Sequence, residues 1–510
     1  MIGRAGGTDP AATVVGVVGS GTMGQGIAQV AAVAGHPVRL HDAVPGRARE
    51  AVGAVAARLD RLVDKGRLDP ARRDAARARL HAAGALGELS DCALVIEAIV
   101  EQLPAKQKLF EQLEAVVPDG CLLATNTSSL SVTAIAGALR VPERFLGLHF
   151  FNPAPLLPLV EIVSGRATGE RTAERAHALL TAWGRTPVRC ADTPGFVVNR
   201  IARPFYAEAF RVLEEGGADP ATIDAVLRES GGFAMGPFEL TDLIGQDVNN
   251  AVTRSVDEAF FHDPKFTPSL AQQRLVQAGL LGRKTGRGWY DHTPGAARPE
   301  PHTAPPRPAP RTLGAYGELP RPAAALPGMI REAGITLTGA GAPERGDGAL
   351  VLPDGARLAL VNGRMPTADA GADIHFDLAL DYRECARIAL APAETVSRRD
   401  VDAAVGLFQA LGKKVSVIGD VPGMLVARTV AMLVDFAHDA VGRGVATAED
   451  VDTAMRLGVN YPLGPLEWGR RLGADWITGV LLALRDEYGG TRYQPCQPLR
   501  RRAAAGESLL

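Results

Sequence analysis

Three glycines in the run VVGVVGSGTMGQGIAQVAAVAGHPVRLHDA, from Val14 to Ala43, limit what this chain can fold into more than any other feature. The apolar stretch Val14 to Val18 reads as a buried parallel strand, and Gly19, Gly21 and Gly24 follow it in the spacing G-x-G-x-x-G. The first glycine permits a tight turn, the second lets backbone approach a pyrophosphate, and the third lets the next helix pack on the strand. Ile27, Val30, Ala31 and Ala34 give that helix an apolar face, and Gly35 suits a left-handed cap at its end. The helix N-terminus then offers free N–H groups and a positive dipole end to phosphates. Thr22 and Met23, inside the turn, join the three glycines as cofactor-binding positions. A second strand, HPVRLHD, ends in Asp42, about 20 residues past the turn, where a carboxylate accepts hydrogen bonds from both ribose hydroxyls. A 2′-phosphate would meet a negative charge there, so the expected cofactor is NAD rather than NADP.

At 510 residues the chain exceeds one ordinary core and is expected to divide into about three domains. Lys and Arg total 55 against 57 for Asp and Glu, which removes any general electrostatic case for nucleic acid or an acidic membrane surface. Cys92, Cys121, Cys190, Cys385 and Cys496 are scattered, odd in number and without metal-ligand spacing. They read as reduced thiols in a cytoplasmic protein that holds no metal. No window approaches the roughly 20 apolar residues of a spanning helix, and the start, MIGRAGGTDPAAT, lacks a signal-peptide core. The first dozen residues read as a loose lead-in.

After Asp42 comes an amphipathic Ala/Arg-rich stretch to about Leu80. The strand CALVIEAIVE (Cys92 to Glu101), a helix from about Lys106 and the strand CLLATNTSS follow. This alternation indicates an α/β Rossmann-type, doubly wound domain over 13–192, with ligand-contacting residues such as Glu101, Ser128 and His149 just after strands. From about Thr193 long helical stretches replace it, giving an all-α domain over 193–291. Residues 292–328 read as a proline-rich linker, since ten prolines fall between Asp291 and Gly328. Beyond it lies a repeat: DTPGFVVNR at Asp192 aligns with DVPGMLVAR at Asp420, and AMGPFEL at Ala234 with PLGPLEW at Pro462, at one offset of 228 residues. Asp224 and Asp452 match at the same offset, so 418–510 is expected to be a C-terminal duplicated helical domain. Asn199 corresponds to Ala427, so this copy is not a catalytic duplicate. Residues 329–417 hold strand-like runs and one glycine turn, TGAGAPE, that lacks a third glycine; they read as a reduced α/β module.

The segment GLHFFNPAPLLPLVEIV, from Gly147 to Val163, carries the chemistry. It offers His149 and Asn152 on one turn and Glu161 a strand-length later. A histidine moves protons near neutral pH, and a carboxylate against its other nitrogen fixes the tautomer and stabilises the cation. Beside a dinucleotide this pair suggests alcohol oxidation, although a histidine in such a place is also often structural.

The motifs GSGTMGQGIA, IEAIVEQLPAKQKLF, ATNTSSLSV, GLHFFNP, DTPGFVVNR, MGPFELTDLIG and GRKTGRGWY together resemble the L-3-hydroxyacyl-CoA dehydrogenase family, over about residues 13 to 291 and again after 417. The resemblance implies that His149 is the general base, Glu161 its orienting partner, and Ser128 and Asn199 donors to the reacting oxygen. Asn152 then positions nicotinamide or His149. It also implies that Glu101, Lys106 and Lys284 lie near the nicotinamide end and Asp42 at the adenosine ribose. Lys65 matches a position near the CoA phosphates, although Arg58 stands where serine is usual in some members. The length and the duplicated C-terminal part resemble the longer bacterial form, associated with 3-hydroxyadipyl-CoA oxidation in phenylacetate breakdown. A 3-hydroxybutyryl-CoA dehydrogenase stands close behind.

A substrate with a distal carboxylate wants an Arg or Lys in the acyl pocket, and Arg203 and Arg254 are candidates. The expected partner is an acyl-CoA thioester. A homodimer through the helical domains stays open, because two helical copies in one chain can also pack on each other. A dehydrogenase for a free hydroxy acid and a non-catalytic NAD-binding relative remain as alternatives.

Overall fold

The computed structural model describes residues 13–339 and 348–506. The loose lead-in before Thr13 and most of the TGAGAPE turn lie outside the described residues. The chain divides into two units, one of residues up to 198 with 444–458, the other of residues 199–443 with those from 459 on.

The first unit begins with β1 (Val15–Val18), α1 (Thr22–Val33), β2 (Val38–His41), α2 (Arg47–Asp64), α3 (Pro70–Ala78), β3 (Leu80–Ala83), β4 (Leu94–Glu97), α4 (Leu103–Val116) and β5 (Leu122–Thr125). It continues with α5 (Val132–Ala136), β6 (Phe145–Phe150), β7 (Leu159–Ser164), α6 (Glu170–Ala182) and β8 (Thr186–Ala191). The strands form one sheet in the order β3-β2-β1-β4-β5-β6-β7-β8, parallel throughout except where β6 meets β7. The first six positions follow the doubly wound order that places ligands at the carboxyl ends of the strands.

The central strands β1, β4 and β5 are mainly apolar and wholly buried, as a sheet covered on both faces requires. Ile27, Ala28 and Ala31 of α1 pack without exposure against Val15, Val17 and Leu40. A fully buried Ile or Leu in this layer contributes roughly 1.5–3 kcal/mol. Gly35, at φ +110°, ends α1 as its position suggested.

The second unit opens with helices: α7 (Val198–Ile201), which straddles the unit boundary, then α8 (Arg203–Glu214), α9 (Pro220–Glu229), α10 (Pro237–Ile244), α11 (Gln246–Ala259) and α12 (Leu270–Gln277). A mixed sheet follows, built from β9 (Thr312–Tyr316), β10 (Thr336–Gly339), β11 (Ala349–Val351), β12 (Arg357–Leu360), β13 (Ile374–Phe376), β14 (Arg387–Pro392) and β15 (Lys414–Val417). Its strand order is β10-β9-β11-β12-β13-β14-β15, with α13 (Leu326–Glu332) and α14 (Arg398–Ala410) in its connections. The proline-rich stretch is therefore not a free linker. Thr312–Tyr316 is a strand of this sheet, and upstream the Ala304 N–H donates to the Val415 carbonyl at 2.8 Å. Proline is tolerated along a sheet edge, so composition alone cannot separate such a strap from a spacer.

The repeat returns as α15 (Val426–Gly442), α16 (Ala448–Val459), α17 (Pro465–Leu472), α18 (Ala474–Tyr488) and α19 (Gln497–Ala505). Most of α16 belongs to the first unit, where the Ala191 N–H donates to the Val445 carbonyl at 2.8 Å. Phe196 and Met424 both sit at left-handed φ, +50° and +51°, so the turn before the first helix is reproduced at the repeat offset. One difference is explained by a single residue. α15 runs unbroken, whereas the first copy is interrupted at Ala202, because Pro204 lacks the N–H of a helix interior and stands where the second copy has Met432.

Within the second unit α8 packs on α15. Glu208 of the first copy is wholly buried there and accepts from Arg428 Nε at 3.0 Å, Arg492 Nη2 at 2.7 Å and the Tyr493 hydroxyl at 2.8 Å. Burial pushes its carboxyl up, but Arg492 and Arg428 outweigh that and bring it down to about 2.

The mixed sheet also repeats part of the first. β13, antiparallel to β14 and followed by parallel β15, copies the relation of β6, β7 and β8 at the same offset of 228 residues, so Asp377 stands where the first sheet has His149 and Ala389 where it has Glu161. The Asp377 N–H donates to the Ala389 carbonyl at 3.0 Å, so an acid takes the histidine's place and a methyl group the glutamate's. Asp377 supplies the carboxylate instead, accepting the N–H groups of Leu425, Val426 and Ala427 at 2.8–3.1 Å.

Candidate active site

The glycine turn folds as its spacing requires. Gly19 has φ +104°, and a Cβ on it would lie 2.4 Å from the Ala98 carbonyl oxygen. A Cβ on Gly24 would lie 1.8 Å from the Gly19 oxygen, whereas one on Gly21 would meet nothing within 4 Å. The protein thus packs tightly against the first and third glycines and leaves open the space that a pyrophosphate needs beside the second. Thr22 and Met23 occupy the first turn of α1, whose amides face that space.

Asp42, just after β2, is drawn to the same turn. Its Oδ2 accepts the Ser20 N–H at 3.0 Å and the Ser20 hydroxyl at 2.5 Å, and Oδ1 accepts the Val44 N–H at 2.9 Å. Burial pushes this carboxyl up, yet the bonds from Ser20 and Val44 prevail and hold it below the usual carboxylate range. The acid stays ionised with lone-pair capacity on Oδ1 for ribose hydroxyls. Glycines, helix end and acid together fit a dinucleotide.

His149 and Glu161 face each other in the antiparallel register of β6 and β7. Nδ1 of His149 lies 2.6 Å from Glu161 Oε2. The other oxygen, Oε1, accepts the N–H groups of Val197 at 3.1 Å and Val198 at 2.9 Å. Glu161 has no solvent exposure and His149 only 6%. A carboxylate fixed on Nδ1 makes that nitrogen the donor and leaves Nε2 as the basic one. The rings of Phe151 and Phe196 lie 4.5 and 5.6 Å from the imidazole, centroid to centroid, and shield it from water. His149 stands within β6 rather than after it, because the strand extends to Phe150. Asn152 lies just beyond and is exposed.

Glu101 and Ser128 come together at the ends of β4 and β5. Glu101 Oε1 accepts from the Thr127 hydroxyl at 2.5 Å, the Ser128 N–H at 3.0 Å, and the Ser129 N–H and hydroxyl at 3.1 and 2.9 Å. Burial pushes Glu101 up, but Lys106, Thr127, Ser129 and the Ser128 amide together hold it below its ordinary value. The acid thereby fixes the loop that carries Ser128, whose hydroxyl has no partner among the described residues.

Lys106 differs from a surface cation at the cofactor. It is buried, 2.5 Å from Glu97 and 3.2 Å from Glu101, so it orients Glu101. Sequence reasoning missed Glu97, which also accepts from Thr125 at 2.7 Å, and Asn126, whose Oδ1 accepts the Phe150 N–H at 2.9 Å. Their signal is a polar residue at the end of an otherwise apolar strand. Asp192, another residue missed, accepts the Ser131 hydroxyl and the Thr133 N–H, each at 2.7 Å, at the start of α5.

Lys65 is exposed at the end of α2. Arg58 donates to Gln25 Oε1 at 2.6 Å, and Gln25 in turn donates to the Ser20 carbonyl at 2.8 Å, so Arg58 braces the glycine turn.

In the second unit Lys284 pairs with Asp247 at 2.5 Å. Asn199 lies in α7 with its carbonyl bonded to Arg203 Nε at 2.8 Å. Arg203 is buried and Arg254 exposed. The five cysteines are free and buried. No helix among the described residues is long and apolar enough to cross a membrane.

Comparison with known proteins agrees with this geometry. The NAD binding domain of 3-hydroxyacyl-CoA dehydrogenase matches residues 14–193, and the C-terminal domain of the same family matches 195–292 and again 423–508. The reduced Rossmann-fold domain of 3-hydroxybutyryl-CoA dehydrogenase matches 358–422. The 3-hydroxyadipyl-CoA dehydrogenase of Escherichia coli K12 is 45% identical over 492 residues, covering 96% of this chain and 97% of that protein. The 3-hydroxybutyryl-CoA dehydrogenase of Mycobacterium tuberculosis H37Rv is 40% identical over 280 residues, covering 54% of this chain and 98% of its own length. A crystal structure titled 3-hydroxybutyryl-CoA dehydrogenase from Escherichia coli K12 superposes with a TM-score of 0.88 at 42% identity, over 97% of this chain and 99% of that one. The chain belongs to the 3-hydroxyacyl-CoA dehydrogenase family and is an NAD-dependent oxidoreductase.

Proposed function

We propose that this enzyme oxidises the (S)-3-hydroxyl of a 3-hydroxyadipyl-CoA thioester to the 3-oxo compound, with His149 as the base. The observation that carries the chemistry is the buried 2.6 Å contact between His149 Nδ1 and Glu161. Nε2 removes the hydroxyl proton, and Glu161, held by two backbone amides, stabilises the imidazolium that forms. NAD held at the glycine turn and Asp42 would supply the hydride acceptor. The Ser128 hydroxyl and the Asn199 side chain donate to the reacting oxygen, favouring the developing carbonyl without competing for the proton. Glu101 keeps Ser128 in place, and Asn152 and Lys284 serve the nicotinamide end.

Likeness to the Escherichia coli 3-hydroxyadipyl-CoA dehydrogenase along nearly the whole chain supports the adipyl reading. The full-length structural likeness to a protein titled 3-hydroxybutyryl-CoA dehydrogenase supports a second, a four-carbon substrate. Initial rates of NAD reduction with 3-hydroxybutyryl-, 3-hydroxyhexanoyl- and 3-hydroxyadipyl-CoA decide between them. The adipyl thioester should give the highest kcat/KM, and a preference for the four-carbon substrate replaces the first reading with the second. We place the enzyme in the cytoplasm, where its buried thiols stay reduced.

A further inference from the structure

Six arginines are buried among the described residues, and five of them meet an acid. Arg144 faces Glu114, Arg200 faces Asp439, Arg387 faces Glu229, and Arg428 and Arg492 share Glu208. Arg203 is the exception. At 5% exposure it has only neutral partners: Nε donates to the Asn199 carbonyl at 2.8 Å, Nη1 to the Thr253 hydroxyl at 3.0 Å, and the guanidinium lies 5.1 Å from the Tyr206 ring centre. Nη2 donates to no group among the described residues.

A guanidinium cannot shed its charge, so burying one unpaired is costly unless an anion arrives to meet it. Burial pulls the Arg203 pKa down, and the influences that oppose it come from two phenols, Tyr206 and Tyr461, rather than from any carboxylate. Tyr461 adds a second observation. Its hydroxyl is buried and has no hydrogen-bond partner among the described residues, which is unusual for a buried donor.

We propose that Arg203, assisted by the Tyr461 hydroxyl, receives the distal carboxylate of a dicarboxylic 3-hydroxyacyl chain and so sets the substrate preference of the enzyme. The inference rests on the function proposed above. The bond from Nε to the Asn199 carbonyl folds the guanidinium back over the turn that bears Asn199. From the hydroxyl-bearing carbon to the distal carboxylate carbon of a six-carbon diacid is three bonds, roughly 3.8 Å. Arg203 bonds the Asn199 carbonyl directly, so a substrate whose hydroxyl meets Asn199 has its far end within reach of the guanidinium. A chain of equal length ending in methyl leaves the cation buried and unpaired, a penalty that lets a site reject it strongly.

The test compares kcat/KM for 3-hydroxyadipyl-CoA and 3-hydroxyhexanoyl-CoA, equal in length and differing in the terminal carboxylate, in the full-length enzyme. Wild type should prefer the adipyl thioester by at least about 10-fold, the effect of one charge-assisted hydrogen bond. Arg203→Met should lower the adipyl-to-hexanoyl ratio by about 10- to 100-fold, chiefly through KM, and Arg203→Lys should restore part of it. Tyr461→Phe, which removes only a hydroxyl, should lower the ratio several-fold and keeps the test decisive should Arg203→Met fail to fold. A wild-type ratio near one, or variants that slow both substrates equally, would overturn the role of Arg203. If wild type oxidises neither thioester, the proposed function fails instead.

Discussion

Glu161 gives one carboxylate oxygen to His149 and the other to the backbone amides of Val197 and Val198. The acid that meets His149 thus also anchors the backbone entering α7, and the proton transfer proposed for His149 is tied to that turn. Replacing His149 with Ala should lower kcat about 10²- to 10⁴-fold, the usual worth of a positioned base. NADH affinity, measured by fluorescence titration, should change less than about threefold, since no residue of the glycine turn is touched. Glu161→Gln should lower kcat by a similar order and also lower the melting temperature, because it weakens the acceptor for two buried amides.

Two of the glycines separate folding from binding. Gly21→Ala places a methyl group in space the protein leaves empty, so the melting temperature should stay within a degree or two while NADH affinity falls at least about 10-fold. Gly24→Ala drives a methyl into the Gly19 carbonyl and should lower stability and NADH binding together, by roughly 1–3 kcal/mol in stability. Differential scanning fluorimetry with and without NADH reads both. Equal effects from the two substitutions would refute the assignment of open space at Gly21 to the pyrophosphate.

Much of this region is readable from sequence because local geometry leaves few choices. A φ of +104° and a 1.8 Å clash admit little besides glycine, so Gly19 and Gly24 declare themselves. The pairing of His149 with Glu161 is half legible. Both residue types are visible, but only the antiparallel register of β6 and β7 turns them toward each other. Lys106 reads as one more charge near a cofactor because nothing local shows that α4 buries it against Glu97. The strap around Ala304 is hidden by its prolines, since its partner Val415 lies about a hundred residues on, and the strand Thr312–Tyr316, itself free of proline, is masked by the prolines that precede it although its partners are β10 and β11.

Asp42 should discriminate between dinucleotides. Asp42→Ala removes the acceptor for ribose hydroxyls and the charge that repels a 2′-phosphate. KM for NAD should rise about 10-fold, and the ratio of NADP to NAD use should rise by at least as much. Steady-state kinetics with both cofactors at fixed thioester concentration measures this, and an unchanged ratio would remove Asp42 from the ribose site.

Glu208 predicts an acid limb of stability. Its carboxyl stands at about 2 in the folded chain against 4.5 ordinarily, so the folded form binds fewer protons than the unfolded one between those values. The stabilisation is complete above pH ~4.5 and disappears as pH falls toward ~2. Glu208→Gln should therefore cost about 3–5 kcal/mol near neutrality, since it leaves Arg428 and Arg492 buried without their acid, and progressively less in acid. Urea unfolding of both proteins at pH 7, 4 and 3 checks the sign. A penalty that grows on acidification would contradict it.

Asp377 grips three amides at the head of α15, while the histidine two positions before it turns its Nε2 to Asp369. Duplication has preserved the clasp and dismantled the proton relay. Reactivity should accordingly scale as one turnover centre and one tightly held dinucleotide per polypeptide.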